Sequence, residues 1–219
     1  MTESPRIAVF DAYGTLFDVH AAVARHADAI GPDAAALSET WRAKQLEYSW
    51  VRGLMGCHAP FWGLTEQALD YALARYPKVD RALRPRLLDA YRDLDAYPEV
   101  PGTLRALRAA GWRTAILSNG DAAMLERAVA SAGLADHLDA VLSVESARTF
   151  KTAPAAYRIA TDRFGVGPEA VLFGSSNRWD VAGAAAFGFR PVWVNRRGLP
   201  DEYADQPPER VIESLDALL

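Results

Sequence analysis

Five short apolar runs punctuate the chain: IAVFDA (7–12), RTAILSNG (113–120), DAVLSV (139–144), AVLFGSS (170–176) and PVWVN (191–195). None alternates cleanly between apolar and polar residues, as a strand with one wet face would, so each reads as a strand covered on both sides. Helical patterns separate the later runs. TLRALRAA ends at Gly111. DAAMLERAVASA opens on Asp121, a residue suited to capping a helix, and ends at Gly133. PAAYRIATDRF begins at Pro154 and stops at Gly165, and WDVAGAAAF stops at Gly188. Alternation of strand and helix predicts an α/β fold with a mostly parallel sheet flanked by helices.

Residues 19–96 break this pattern. They contain almost no β-branched runs and read as successive helices: SETWRAKQLEYSWVRGLM, opening on Ser38 as N-cap, then FWGLTEQALDYALARY and RPRLLDAYRDL. Trp41, Tyr48 and Met55 recur every seven residues and are expected near one helix face. The α/β pattern resumes at Tyr97-Pro98-Glu99-Val100-Pro101-Gly102, whose prolines and glycine suit a linker. The expected organisation is a core of residues 1–18 and 97–219 with a helical insert over 19–96.

Composition narrows the partners. A formal charge of −4 favours neither nucleic acid nor an anionic membrane, and no apolar run approaches the length of a membrane span. Cys57 is the only cysteine, so no internal disulfide forms, which suits a cytoplasmic location. No secretory leader is expected, since the apolar stretch 7–10 is short and is followed by Asp11.

Ligands of open parallel sheets bind beyond the carboxyl ends of the strands. The residues there are Asp11, Tyr13 and Thr15 after the first run, Ser118, Asn119 and Gly120 after the second, Lys151 after the third, and Ser175, Asn177, Trp179 and Asp180 after the fourth. Each has an ordinary explanation as a loop residue, a surface charge or packing. For Asp11 that explanation, a loop cap, fits poorly, because an acid directly after IAVF is awkward for packing and burying a carboxylate is costly. His20, His26, His58 and His137 show no metal spacing, and Cys57 has no basic neighbour that would activate it.

These residues carry a resemblance. FDAYGTLFDV resembles the nucleophile motif of the haloacid dehalogenase superfamily. Together with WRAKQLEYSWVRGLM, ILSNG, Phe150-Lys151 with Tyr157, and SSNRWDVAGAAAFGF, it is similar to the L-2-haloacid dehalogenases over nearly the whole chain. The resemblance implies a Rossmann-like core and a helical-bundle cap with the active site between them. It implies hydrolysis of an L-2-haloacid to a D-2-hydroxy acid and halide through an ester on Asp11, without cofactor or metal. It also implies a homodimer whose only small-molecule partners are the 2-haloalkanoic acid and halide.

The implied roles follow residue by residue. Asp11 is the nucleophile. Thr15, Lys151, Ser175 and Asn177 hold its carboxylate, and Asp180 activates water. Ser118, with amides around Ala12, Tyr13 and Asn119, binds the substrate carboxylate. Arg42 and Asn119 take the halide, and Tyr157 sets Lys151 or the pocket. Tyr13, Leu46, Phe61 and Trp179 form apolar walls. Superfamily phosphatases carry a second Asp where this chain has Tyr13. It protonates a leaving alcohol, and a halide needs no proton. Ala43, Thr152-Ala153, Gly174 and Arg178 depart from the usual pattern, and Ala43 and Arg178 are the ones expected to bear on pocket size or charge. The rival readings are a Mg²⁺-dependent phosphatase, which shares Asp11, Thr15, Ser118, Lys151 and Asp180, and a non-catalytic binding protein, which would be expected to lack at least one of these groups.

Overall fold

The computed structural model describes residues 6–219. The first five residues of the expected core therefore lie outside the described residues. Strand β1 (Ile7–Phe10) leads into helices α1 (Ala21–Ala24), α2 (Ala27–Ile30), α3 (Ala34–Leu54), α4 (Phe61–Arg75) and α5 (Arg84–Arg92). The α/β part continues with α6 (Val100–Ala109), β2 (Arg113–Ser118), α7 (Ala122–Ser131), β3 (Ala140–Ser143), α8 (Pro154–Phe164), β4 (Val171–Ser175), α9 (Arg178–Phe187), β5 (Arg190–Val194) and β6 (Arg210–Ile212).

The six strands form one sheet in the order β3-β2-β1-β4-β5-β6, with every neighbouring pair parallel. This is the Rossmann order, in which the connections change direction beside β1 and leave a crevice there. β1 lies at the centre: Ile7–Phe10 pairs with Arg113–Ile116 on one side and Val171–Gly174 on the other. All four of its residues are fully buried, as its unbroken apolar run requires. β6 is absent from the sequence reading. It has three residues, sits at the sheet edge and leaves Val211 exposed, so it needs no apolar run.

The helices between β1 and α6 form a block over the site end of the sheet. Their two connections to the core run side by side and antiparallel: Asp18 N–H donates to Asp95 O at 3.0 Å, and Tyr97 N–H donates to Leu16 O at 2.9 Å. The start of α3 differs from expectation. The alanines at 34–36 carry the helix four residues beyond Ser38, whose buried hydroxyl meets His20 Nδ1 at 2.8 Å. Its buried row is Leu37, Trp41, Gln45 and Ser49, at four-residue steps, while Met55 is 58% exposed. The seven-residue row fails because the inward face of α3 is partly polar. Gln45 is buried against Thr65 and Tyr91.

Candidate active site

Asp11 extends β1 by one residue, its N–H bonded to Gly174 O at 2.9 Å, and the chain then turns sharply away. The Ala12 carbonyl closes the turn by accepting from the amides of Thr15, Leu16 and Phe17 at 3.2, 2.9 and 3.0 Å. Gly14 sits at φ +91, a conformation that side chains disfavour, so the turn depends on glycine there. The Asp11 carboxylate is nearly buried and held by three donors. Oδ1 accepts from Lys151 Nζ at 3.0 Å; Oδ2 accepts from Asn177 Nδ2 at 2.8 Å and Thr15 Oγ1 at 3.1 Å.

Lys151 is fully buried and its ammonium also reaches Asp180 Oδ2 at 2.8 Å. Burial works against that charge, but the carboxylates of Asp11 and Asp180 outweigh it and raise the Lys151 pKa. Asp180 faces the opposite balance. Burial, with added repulsion from Asp11, exceeds the help from Lys151, and its pKa is pushed up to about 6. A lysine between two acids gains twice, whereas Asp180 has one cation and one rival anion. Tyr157 donates to Asp180 Oδ1 at 2.8 Å, so it positions Asp180 rather than Lys151. Burial, then the Asp180 charge, raises the Tyr157 pKa and keeps the phenol a donor. Among the described residues no three His, Cys, Asp or Glu side chains gather as a metal would need, and the Lys151 ammonium is bonded to both acids.

Ser175 does not hold Asp11. Its hydroxyl accepts from Asn177 N–H at 3.1 Å and so shapes the turn that aims Asn177. The neighbouring Ser176 contacts the nucleophile loop instead, donating its N–H to Thr15 Oγ1 at 2.8 Å and its hydroxyl to Gly14 O at 2.6 Å. Successive residues at a strand end point to opposite sides, and two adjacent serines cannot be told apart by type.

The Arg42 guanidinium is not solvated on an outer face. Nη2 donates to Tyr13 O at 3.1 Å, tying α3 to the nucleophile loop, and Nη1 donates to Gln45 Oε1 at 2.7 Å. Gln45 in turn bonds Thr65 and Tyr91, and the Tyr91 ring stacks on Tyr13 at 5.7 Å. The buried Tyr13 ring fits closely over Gly120, where a Cβ would come within 2.7 Å of Tyr13 Cε2. Gln45, Tyr91, Thr65 and Ser176 were not picked out from sequence. Only Gln45 had a signal, standing three residues beyond Arg42 on one helix.

The remaining expected groups are distributed around this centre. Ser118 is buried, and its oxygen accepts from Gly120 N–H at 3.2 Å, which leaves its own proton to be donated elsewhere. Asn119 Oδ1 accepts from Lys151 N–H at 2.9 Å. Leu46 lines a cavity of about 240 Å³ together with Arg42, Gly14 and Asn177. Phe61 is buried, with its ring 6.0 Å from that of Phe150. Trp179 packs edge-on against Trp50 and lines a separate groove of about 640 Å³ between α3 and α9. The departures expected to bear on the pocket lie away from it. Ala43 is exposed. Arg178 is buried and bonds Asp201 Oδ1 at 2.6 Å and the carbonyls of Tyr203 and Gln206, fastening the loop after β5.

Residues 5–188 match the profile of a family described as haloacid dehalogenase-like hydrolase. This chain belongs to the haloacid dehalogenase-like hydrolases. The hydrolase is 50% identical over 214 residues to (S)-2-haloacid dehalogenase 1 of Pseudomonas sp. (strain CBS-3), covering 97% of this chain and 94% of that one. It is 49% identical over 219 residues to (S)-2-haloacid dehalogenase 4A of Burkholderia cepacia, covering 100% and 95%. Its fold superposes with a TM-score of 0.88, at 37% identity and over 98% and 96% of the two chains, on the L-2-haloacid dehalogenase of Xanthobacter autotrophicus with chloropropionic acid covalently bound.

Proposed function

We propose that this hydrolase converts (S)-2-haloalkanoic acids to (R)-2-hydroxy acids and halide, without a metal, through an ester on Asp11. The observation that carries the reading is the buried Lys151 ammonium bonded to both Asp11 and Asp180, with the aromatic Tyr13 where a phosphatase needs a second acid. An Asp11 oxygen attacks C2 from the side opposite the halogen, and the C–halogen bonding pair leaves with the halide. Ser118 and nearby amides hold the substrate carboxylate, while Arg42 and Asn119 receive the halide. Water then adds to the Asp11 carbonyl carbon and gives a proton to Asp180. As the ester C–O bond breaks, the leaving alkoxide takes that proton to become the hydroxyl of the product, and the second water proton passes from the restored Asp11 carboxyl to solvent. In-line displacement inverts C2. Residues 19–96 act as a cap that completes the site through Arg42, on a core formed by 1–18 and 97–219.

The deciding experiment is halide release from (S)- and (R)-2-chloropropionate, with and without EDTA. Release from the (S) acid alone, unchanged by EDTA, is expected. Loss of activity on chelation, restored by Mg²⁺, overturns the metal-free reading and favours phosphate chemistry.

The Asp180 pKa sets a pH dependence. Protonated Asp180 cannot accept the water proton, so hydrolysis of the ester should fail at acid pH; with Asp11 still charged, the Asp180 pKa is about 6. Esterification also removes the Asp11 charge that raises Asp180, so the limb for kcat should lie lower than 6. Rapid-quench kinetics near the limb should show a stoichiometric burst of halide with a lag in hydroxy acid. Equal slowing of both products would remove Asp180 from the second step. The same shift costs stability. The folded state binds this proton more tightly than the unfolded chain, so the contribution of Asp180 is present at low pH and lost as pH rises through about 6.

We assign the protein to the cytoplasm as a homodimer. The unpaired Cys57 suits a reducing compartment, and Val51, Leu54 and Met55 form an exposed apolar strip at the end of α3. A monomer in sedimentation equilibrium overturns the dimer.

A further inference from the structure

Asp121 occupies the N-cap position of α7 but makes no side-chain bond to its own helix. Its carboxylate crosses to the helical segment instead. Oδ1 accepts from Phe61 N–H and Oδ2 from Trp62 N–H, both at 2.7 Å. These are the first two residues of α4, whose own N-cap, Pro60, has no side-chain acceptor. A helix start leaves amide donors unsatisfied and favours a negative charge, so a core carboxylate caps a helix belonging to the insert. Glu145 stands in for Asp121 at α7, its Oε2 accepting from Ala122 N–H at 3.3 Å.

The placement bears directly on the site. Asp121 follows Ser118-Asn119-Gly120 in the chain, and Phe61 is the first residue it grips. One carboxylate therefore joins the loop assigned to the substrate carboxylate and the helix carrying a pocket wall. Little slack exists around it. Gly120 lies under the Tyr13 ring too closely for a Cβ, and the Phe61 ring packs on Phe150, the residue before Lys151.

We propose that Asp121 is a positioning residue that sets the register of Phe61 on α4 against the Ser118–Gly120 loop and so governs how well the haloacid fits. The proposal rests on the reading of the site given above. A comparison is built into the same helix. Arg127, farther along α7, forms a bidentate pair with Asp93, both bonds at 2.7 Å, with both side chains about half exposed. It also ties core to insert, but at the end of α5, and makes no bond to the Phe61 and Trp62 amides that Asp121 holds.

The test is steady-state kinetics on (S)-2-chloropropionate for wild type, Asp121→Ala, Asp121→Asn and Arg127→Ala, with amide hydrogen exchange at Phe61 and Trp62. Asp121→Ala should raise KM by roughly tenfold while kcat stays within about twofold, the pattern of lost binding without loss of chemistry. Asp121→Asn keeps one oxygen acceptor and should fall between wild type and Asp121→Ala. Arg127→Ala should leave KM unchanged. The two amides should lose protection in Asp121→Ala and keep it in Arg127→Ala. Wild-type KM in both Asp121 variants, or an equal rise in Arg127→Ala, overturns the proposal. If Asp121→Ala does not fold, the KM of Asp121→Asn and its exchange pattern decide the matter. Wild-type protein that releases no halide instead defeats the reading of the site, while the exchange result still reports whether Asp121 holds α4.

Discussion

Asp11→Asn should abolish turnover and leave the fold in place. The amide has nearly the shape of the carboxylate, and its oxygen can still accept from Lys151 or Thr15, so the turn closed by the Ala12 carbonyl persists. A neutral carboxamide, however, cannot displace halide from C2. The rate should fall by about 10⁴-fold or more, as when the nucleophile of an interdependent catalytic set is removed. Circular dichroism should match wild type. The mechanism itself is tested with excess wild-type enzyme in ¹⁸O water. Water attacks the Asp11 carbonyl, so the first turnover should place label in Asp11 and unlabelled oxygen in the hydroxy acid. Label in the product of that first turnover would rule out the ester.

The second large effect is expected at Arg42. Were it a solvated charge on a long helix, replacement would shift stability by less than about 0.5 kcal/mol and leave the rate unchanged. Its guanidinium instead spans α3 and the nucleophile loop, on Tyr13 O at 3.1 Å and Gln45 Oε1 at 2.7 Å. Charge builds on the departing halogen through the transition state, so a cation held there stabilises that state more than the bound substrate. Arg42→Ala should slow halide release by about a hundredfold or more, equivalent to roughly 3 kcal/mol. Arg42→Lys should recover only part of this, because an ammonium cannot serve Tyr13, Gln45 and a halide with the planar fork of arginine. Pre-steady-state halide release, with thermal unfolding as control, measures it. Normal folding and wild-type release in Arg42→Ala would remove α3 from the chemistry.

The sequence alone determined the class of fold and the roster of candidate groups. Unbroken apolar runs mark strands buried on both faces whatever their neighbours, and an acid at the end of such a run is costly enough to signal a purpose. Local rules were enough for α8, bounded by Pro154 and Gly165, because its start and stop depend on backbone geometry encoded at those residues. Tertiary structure decided what each polar group touches. Asp121 has the right type and place to cap α7 but gives both oxygens to α4, and Ser176 rather than Ser175 supports Thr15. Gln45 and Tyr91 appear polar or amphipathic in sequence but are buried around Arg42. A hydrogen bond depends on direction and on partners far along the chain: Lys151 and Asp11 are 140 residues apart, and their pairing exists only once β1 and the loop after β3 share one end of the sheet. Residue type states what a side chain is able to donate or accept; only the packed backbone selects which partner it reaches.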